Sequence, residues 1–332
     1  MMRAPLRILL LLAIGLSLSG CLGAQSALAP TGVEAGQISL LFWGMTGFLG
    51  LVMLGVLVVL VLAARGSDRL RALFAGERWV LGAGLVFPII ALSVLFVWGL
   101  LIMSSRADST EDPGALRVSI TGEQWWWRVT YRLADGTRLH SANELRIPVG
   151  VPVVLDLETA DVLHSFWVPN LAGKLDMIPG RTNRLTLTAT EPGISRGQCA
   201  EYCGGAHAFM SFHVVALMPD AFAEWLEKER GPAVVTEATA ATTRGAELFR
   251  TLGCGGCHAV RGTDANGVIG PDLTHVGGRL SLAAATLPNN VASFIAWIEA
   301  NQHIKPGNKM PPYDILTEDE LAALALYLEA LE

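Results

Sequence analysis

The chain has 332 residues, enough for two small domains beside membrane segments, and a net charge of −6. Hydrophobic residues make up 52% and charged residues 16%, so part of the chain is expected in lipid. No long basic run is present, which leaves nucleic-acid binding without support.

Arg3 and Arg7 precede an apolar core at residues 8–18, the pattern of an export signal, and residues 1–20 are read as a signal peptide. Leu18-Ser19-Gly20-Cys21 follows at once. It resembles the lipobox of bacterial lipoproteins, which implies cleavage before Cys21 and a lipid on its sulfur. An ordinary signal followed by an incidental cysteine is the alternative.

Residues 38–64 and 79–103 carry no charge. A helix crossing ~30 Å of hydrocarbon needs about 20 apolar residues, so both segments can span a membrane, and residues 38–103 are expected to form a transmembrane hairpin. Arg65, Arg69, Arg71 and Arg78 crowd the connection, and short Arg-rich loops stay in the cytoplasm. Both flanking tails are then expected outside. Two buried core helices are the weaker reading, because the runs are too long and too uniformly apolar.

From residue 112 to 229 the pattern changes. Residues 153–157 and 184–188 are short runs with partial alternation, separated by Pro148, Gly150, Pro179, Gly180, Pro192 and Gly193. Short strands with regular turns predict a β-sandwich or barrel, closed by a short helix over residues 224–229.

Five cysteines are present, and an odd count argues against a simple disulfide framework. Four form two close pairs, each near a histidine. The first pair lies in Cys199-Ala200-Glu201-Tyr202-Cys203-Gly204-Gly205-Ala206-His207-Ala208-Phe209-Met210. Thiolate, imidazole and thioether ligands select copper, zinc or iron–sulfur clusters, and structural zinc rarely uses methionine.

This segment resembles the CuA loop of cytochrome c oxidase subunit II. The resemblance runs over about residues 38–229 and implies a cupredoxin-like sandwich holding a binuclear copper centre. The cysteines that bridge the two ions match Cys199 and Cys203, and the loop histidine and thioether match His207 and Met210. The second histidine matches His164 in Asp161-Val162-Leu163-His164-Ser165-Phe166-Trp167. Glu201 matches the residue that gives copper its main-chain carbonyl, and its carboxylate matches a ligand to magnesium at the boundary with subunit I. In Gly122-Glu123-Gln124-Trp125-Trp126-Trp127, Trp125 matches the tryptophan through which electrons reach copper. Trp126 and Trp127 read better as packing, Asp161 as an acid of the donor-docking surface or a strand cap, and His140 and His213 as structural. Many family members place a glutamate seven residues before the proline of the second membrane helix, at the mouth of a proton channel. Counting back from Pro88 gives Leu81, and Glu77 lies about one turn earlier.

Residues 230–243 lack periodicity and read as a linker. Residues 244–332 then carry helical patterns at 245–252 and 293–300. A capping box at Thr317 and Glu320 opens a last helix. Cys254-Gly255-Gly256-Cys257-His258 is the C-x-x-C-H attachment signature of c-type haem. A redox dithiol is the rival, but the adjacent histidine disfavours it, and zinc lacks a second ligand pair. Lys309-Met310-Pro311-Pro312 and Gly270-Pro271-Asp272-Leu273 resemble the methionine loop and the haem-covering loop of class I cytochromes c. The resemblance implies an all-α domain with haem bonded to Cys254 and Cys257 and axial ligands His258 and Met310. His275 and His303 are the alternative ligands.

A lipid-anchored subunit with both domains resembles subunit II of the caa3-type oxidases. That implies a multi-pass protein of a bacterial plasma membrane, its soluble domains on the periplasmic or outer face. It also implies partnership with a haem–copper subunit I and a subunit III, and electrons taken from cytochrome c or another membrane donor. Oxygen reduction and proton translocation are then expected in subunit I. A quinol-oxidase subunit, a free-standing electron carrier and a nitrous or nitric oxide reductase component are the rivals.

Overall fold

The structure is a computed structural model that describes residues 23–74, 76–107 and 114–332. The predicted signal peptide and Cys21 lie outside the described residues. Among the described residues, 36–107 form one compact unit, and 23–35 with 114–332 form a second.

In the first unit, helix α1 (Val33–Arg65) is 33 residues long, about 50 Å at ~1.5 Å per residue. After α2 (Asp68–Phe74) and α3 (Glu77–Leu81), a π turn (Gly82–Val86) leads into α4 (Phe87–Ala107). Both long apolar helices leave their side chains exposed all round, as expected of helices that face lipid. The π turn interrupts what reads in sequence as one uniform span, and Pro88 explains it. Proline has no N–H for the carbonyl four residues back and its ring crowds that turn, so the helix widens there. The Phe87 N–H accordingly reaches Gly82 O. Gly44 admits the Trp98 ring, whose Cη2 lies 2.8 Å from where a Cβ would stand.

In the second unit, two five-stranded sheets face each other. The first contains β1 (Leu116–Glu123), β2 (Trp126–Arg132), β3 (Arg138–Ala142), β5 (Val153–Thr159) and β8 (Asn183–Leu187), ordered β3-β2-β1-β5-β8. The second contains β4 (Glu144–Pro148), β6 (His164–Trp167), β7 (Leu175–Met177), β9 (Gly193–Cys199) and β10 (Ser211–Leu217), ordered β4-β10-β9-β6-β7. Alternate residues point inward. Val118, Ile120, Trp127, Val129, Leu155 and Leu157 from one sheet meet Phe166, Met177, Phe212 and Val214 from the other. The Tyr131 hydroxyl donates to Arg146 O at 3.0 Å and accepts from Arg146 N at 2.7 Å. Burial pushes that phenol further up from its ordinary range. Helix α5 (Pro219–Arg230) closes the sandwich. It starts earlier than the predicted 224–229 because Pro219 suits a first helical turn.

The C-terminal domain is helical: α6 (Ala240–Thr251), a 3-10 turn at Cys254–Gly256, α7 (Val291–Ile304) and α8 (Glu318–Glu329). Helix α6 begins inside the segment 230–243 read as linker. Thr239 caps it through Thr242, each side chain accepting from the other's backbone N–H, a box without the usual acidic partner. Helix α8 opens on the Thr317–Glu320 box. Helices α6 and α8 cross at Gly245, where a Cβ would collide with the Ala323 carbonyl and the Tyr327 side chain. Phe249, Phe294, Ile298, Leu324 and Leu328 fill the core beside the crossing.

Gly245→Ala is expected to destabilise the C-terminal domain by ~1–3 kcal/mol, although alanine favours helix, because the obstacle is backbone. Denaturant unfolding checks this. An unchanged midpoint would show that the two helices part without cost.

Candidate metal centres

The first centre lies at one end of the sandwich. His164 opens β6, Cys199 closes β9, and the loop to β10 carries Cys203, His207 and Met210. Cys199 Sγ lies 3.8 Å from Cys203 Sγ and 3.8 Å from His164 Nδ1. Cys203 Sγ lies 3.5 Å from His207 Nδ1 and 3.8 Å from Met210 Sδ. Glu201 O stands 3.2 Å from Cys199 Sγ. Among the described residues, His164, Cys199 and Cys203 are the one group of three whose ligand atoms all lie within 4.8 Å of one another. This donor set, two soft thiolates with imidazole on either side, fits copper. The Glu201 carboxylate points elsewhere, with Lys174 Nζ at 3.9 Å, and belongs to no such group.

The sequence builds this cage through close approaches. Gly122 lets the His164 ring lie against β1, its Cδ2 2.8 Å from where a Cβ would stand. Beneath it, Trp127 packs edge-on to Phe166 and Phe212, which stack on each other at 4.7 Å. Hydrogen bonding between the two thiols leads the effects that lower Cys199, and His164 adds to it. Burial works against charge on His164, but bonding to Cys199 and Asp161 outweighs it and raises the imidazole.

Asp161 is a strut of this site. Its carboxylate accepts from Gln124 N at 2.8 Å and Val162 N at 2.8 Å, and meets His164 Nε2 at 2.9 Å. Burial opposes its charge, but these bonds hold it below the usual carboxylate range. Sequence showed the residue as a docking acid or a strand cap. Its hydrogen bond to the imidazole needs the turn between β5 and β6.

The second centre is an apolar cavity walled by Phe249, Leu252, Leu273, Phe294, Trp297 and Leu324. Cys254, Cys257, His258 and Met310 all line it, so the fold brings the C-x-x-C-H turn and the methionine loop to one space. His258 Nδ1 lies 2.7 Å from Pro271 O. A neutral imidazole donating there presents Nε2 with its lone pair free. Burial lowers His258, which favours that neutral form. Apolar walls with thiols, imidazole and thioether fit a covalent haem. His275 and His303 are not on this wall. His275 Nε2 faces Gly231 O at 3.3 Å, and His303 is exposed.

The two centres adjoin. Trp125, 7% exposed, lines the apolar cavity, and its Nε1 donates to Cys203 O at 3.0 Å. Gln124 Nε2 donates to the same oxygen at 2.8 Å. Gly204, at φ +114°, leaves room for both side chains, whose nearest atoms lie 2.9–3.1 Å from a Cβ placed there. Lys305 of the helical domain, 2% exposed, donates to Trp125 O at 2.9 Å and Ala283 O at 2.8 Å. Burial lowers its ammonium to about 7. Nothing in the sequence signals it, since lysine near a helix end usually reads as surface.

The chain is similar to several known proteins over most of its length. The family model described as cytochrome c oxidase subunit II, periplasmic domain, matches residues 131–217, and the cytochrome c model matches residues 242–332. Cytochrome c oxidase subunit 2 of Alkalihalophilus pseudofirmus is 35% identical over 329 residues, covering 96% of this chain and 94% of its own. The Bacillus subtilis protein of that name is 30% identical over 351 residues, covering 98% and 97%. The crystal structure of the periplasmic domain of subunit II of the Bradyrhizobium japonicum oxidase is 32% identical. It aligns with 35% of this chain and 93% of its own, at a TM-score of 0.33. The chain therefore belongs to the cytochrome c oxidase subunit II family, as a membrane-anchored subunit of a haem–copper oxidase that joins a cupredoxin-like domain and a cytochrome c domain in one polypeptide.

Proposed function

We propose that this chain is the electron-input subunit of a caa3-type oxidase. Electrons enter its cytochrome c domain from cytochrome c or another membrane donor, cross to its cupredoxin domain, and leave for the haem–copper subunit I, where oxygen is reduced with proton translocation. The observation that carries this reading is the position of Trp125. One residue walls the apolar cavity and donates a hydrogen bond to the loop of the copper site.

Haem c and a binuclear copper centre supply one-electron redox chemistry when bound. Cys199, Cys203, His164, His207, Met210 and the Glu201 carbonyl would hold the copper pair. Cys254 and Cys257 would bond the haem covalently, and His258 and Met310 would hold its iron. A histidine–methionine pair raises a haem potential, which suits a carrier of electrons. The Glu201 carboxylate, facing away from the thiolates, is free to take magnesium at the boundary with subunit I.

The arginines between the membrane helices support a cytoplasmic turn, with both soluble domains on the periplasmic or outer face of a bacterial plasma membrane. Residues 1–20 act as a signal peptide and Cys21 takes a lipid. Subunit III completes the assembly. Glu77, in the first turn of α3, lies about one turn before the position of the family's channel glutamate.

Three outcomes follow. The Cys254→Ala/Cys257→Ala double variant is expected to lose covalent haem and keep its copper, measured by haem-stained denaturing gel and copper quantification. Haem still attached in that variant would end the assignment. Asp161→Ala is expected to weaken copper retention ~10–100-fold, the usual cost of removing the group that orients a ligating histidine. Copper competition with a chelator measures this, and unchanged retention would make Asp161 a strand cap only. In the whole oxidase, His207→Ala is expected to leave the cytochrome c domain reducible and stop electrons there. Stopped-flow spectra decide it. Oxygen uptake from that donor at the wild-type rate would remove copper from the path.

A further inference from the structure

A lysine shut away from water needs a reason, because desolvating an ammonium costs several kcal/mol unless strong partners repay it. Lys305 lies just beyond α7, 2% exposed, between the two domains. Its Nζ donates to one carbonyl on each side: Trp125 O of the cupredoxin domain and Ala283 O of the cytochrome c domain. It also lies 5.9 Å from the Trp297 ring centre, on the cavity wall. No carboxylate pairs with it among the described residues.

Both partners of Lys305 are unusual. Ala283, Ala284 and Ala285 hold φ of 52°, 59° and 56°, a left-handed run that alanine rarely adopts. Such a run persists where surrounding contacts fix it. Two bonds fix it here: Lys305 Nζ to Ala283 O within the cytochrome c domain, and Ser211 N to Ala284 O at 3.2 Å across the domain boundary. Trp125 is the residue whose indole Nε1 reaches Cys203 O. Gly307, at φ +81°, lays its backbone over the far end of the same indole, with Cη2 3.2 Å from where a Cβ would stand. The ammonium therefore ties backbone to backbone at the point where cavity, indole and copper loop meet.

We propose that Lys305 is the positioning residue of the junction between the two redox centres: by bonding Trp125 O and Ala283 O it holds the indole and the cytochrome c domain in fixed register, and so sets the rate of electron transfer between them. This rests on the linear path proposed above. The step itself takes one electron from the cytochrome c domain and gives one to the cupredoxin domain, with no bond made or broken and no proton moved. The rate of such a step falls steeply with separation, which makes register the quantity to protect.

The test uses the intact oxidase with Lys305→Met, which keeps the bulk and removes the donor, and Lys305→Arg, which restores donors. Haem c is reduced rapidly and the appearance of reduced copper is followed. Potentials of both centres are measured so that rates are compared at equal driving force. Lys305→Met is expected to slow the transfer several-fold, because the indole and the cytochrome c domain lose their shared hydrogen-bonded tie. Copper and haem spectra should stay unchanged, amide exchange at Ser211 should rise, and Lys305→Arg should recover most of the rate. Should Lys305→Met fail to retain its haem, Lys305→Leu, which also lacks a donor, is measured in its place against the same outcomes. A wild-type rate in the donor-lacking variant overturns the proposal and leaves the linear path standing, as does an arginine variant as slow as the methionine one. Copper reduced in the wild type without passage from the haem overturns both.

Discussion

The carbonyl of Cys203 is where the soluble part of this protein is held together. It accepts from Gln124 Nε2 and Trp125 Nε1, so the loop carrying Cys203, His207 and Met210 is bound to the turn between β1 and β2 rather than only to its own strands. Buried acceptors left unpaired cost about 1–3 kcal/mol, and this one is paired twice. Gln124 N in turn donates to Asp161, which meets His164. Three segments far apart in sequence thus share one hydrogen-bonded frame around the sulfurs.

That frame gives the copper site its character. Cys199, Cys203, His164 and Met210 are all buried, and His164 rests on Gly122 above a packed Trp127, Phe166 and Phe212. Side chains held by packing on one side and hydrogen bonds on the other have little room to move. For electron transfer that is the useful property, since a ligand set that hardly rearranges between redox states lowers the reorganisation each electron must overcome. The helical domain reaches the same end differently. Its ligands come from a short turn and a loop, and the loop is held by Gln302 Nε2 on Met310 O and Asn308 Oδ1 on Met310 N.

The clustering of both sets of side chains was largely legible in the sequence, because cysteine, histidine and methionine at fixed short spacings have few other uses. His164 required the upstream segment, and the sandwich followed from short runs and turn residues. What stayed hidden depends on contacts between distant segments. The Thr239–Thr242 box is hidden in a run of alanine and threonine, so the linker was drawn too long. The π turn before Pro88 was masked by uniform hydrophobicity. Lys305 has the composition of a surface residue and the burial of a core one, and only the docking of one domain on the other explains the difference.

That docking has a consequence for how donors reach the enzyme. In a separate cupredoxin domain, Trp125 would sit at a rim open to a partner. Here it is 7% exposed, bonded through its carbonyl to Lys305 and covered by Gly307. A diffusing donor pays for association at every encounter, in lost translational and rotational freedom. A covalently attached domain held by buried bonds meets that cost once, during folding. On the path proposed above, an external donor would have only to reach the outer surface of the cytochrome c domain, where Cys257 is exposed and Val268 and Ile269 stand in solvent beside the His258 loop. On that path the face that meets the donor and the face that passes the electron inward would be separate, so donor specificity could vary on one without disturbing the register of the other.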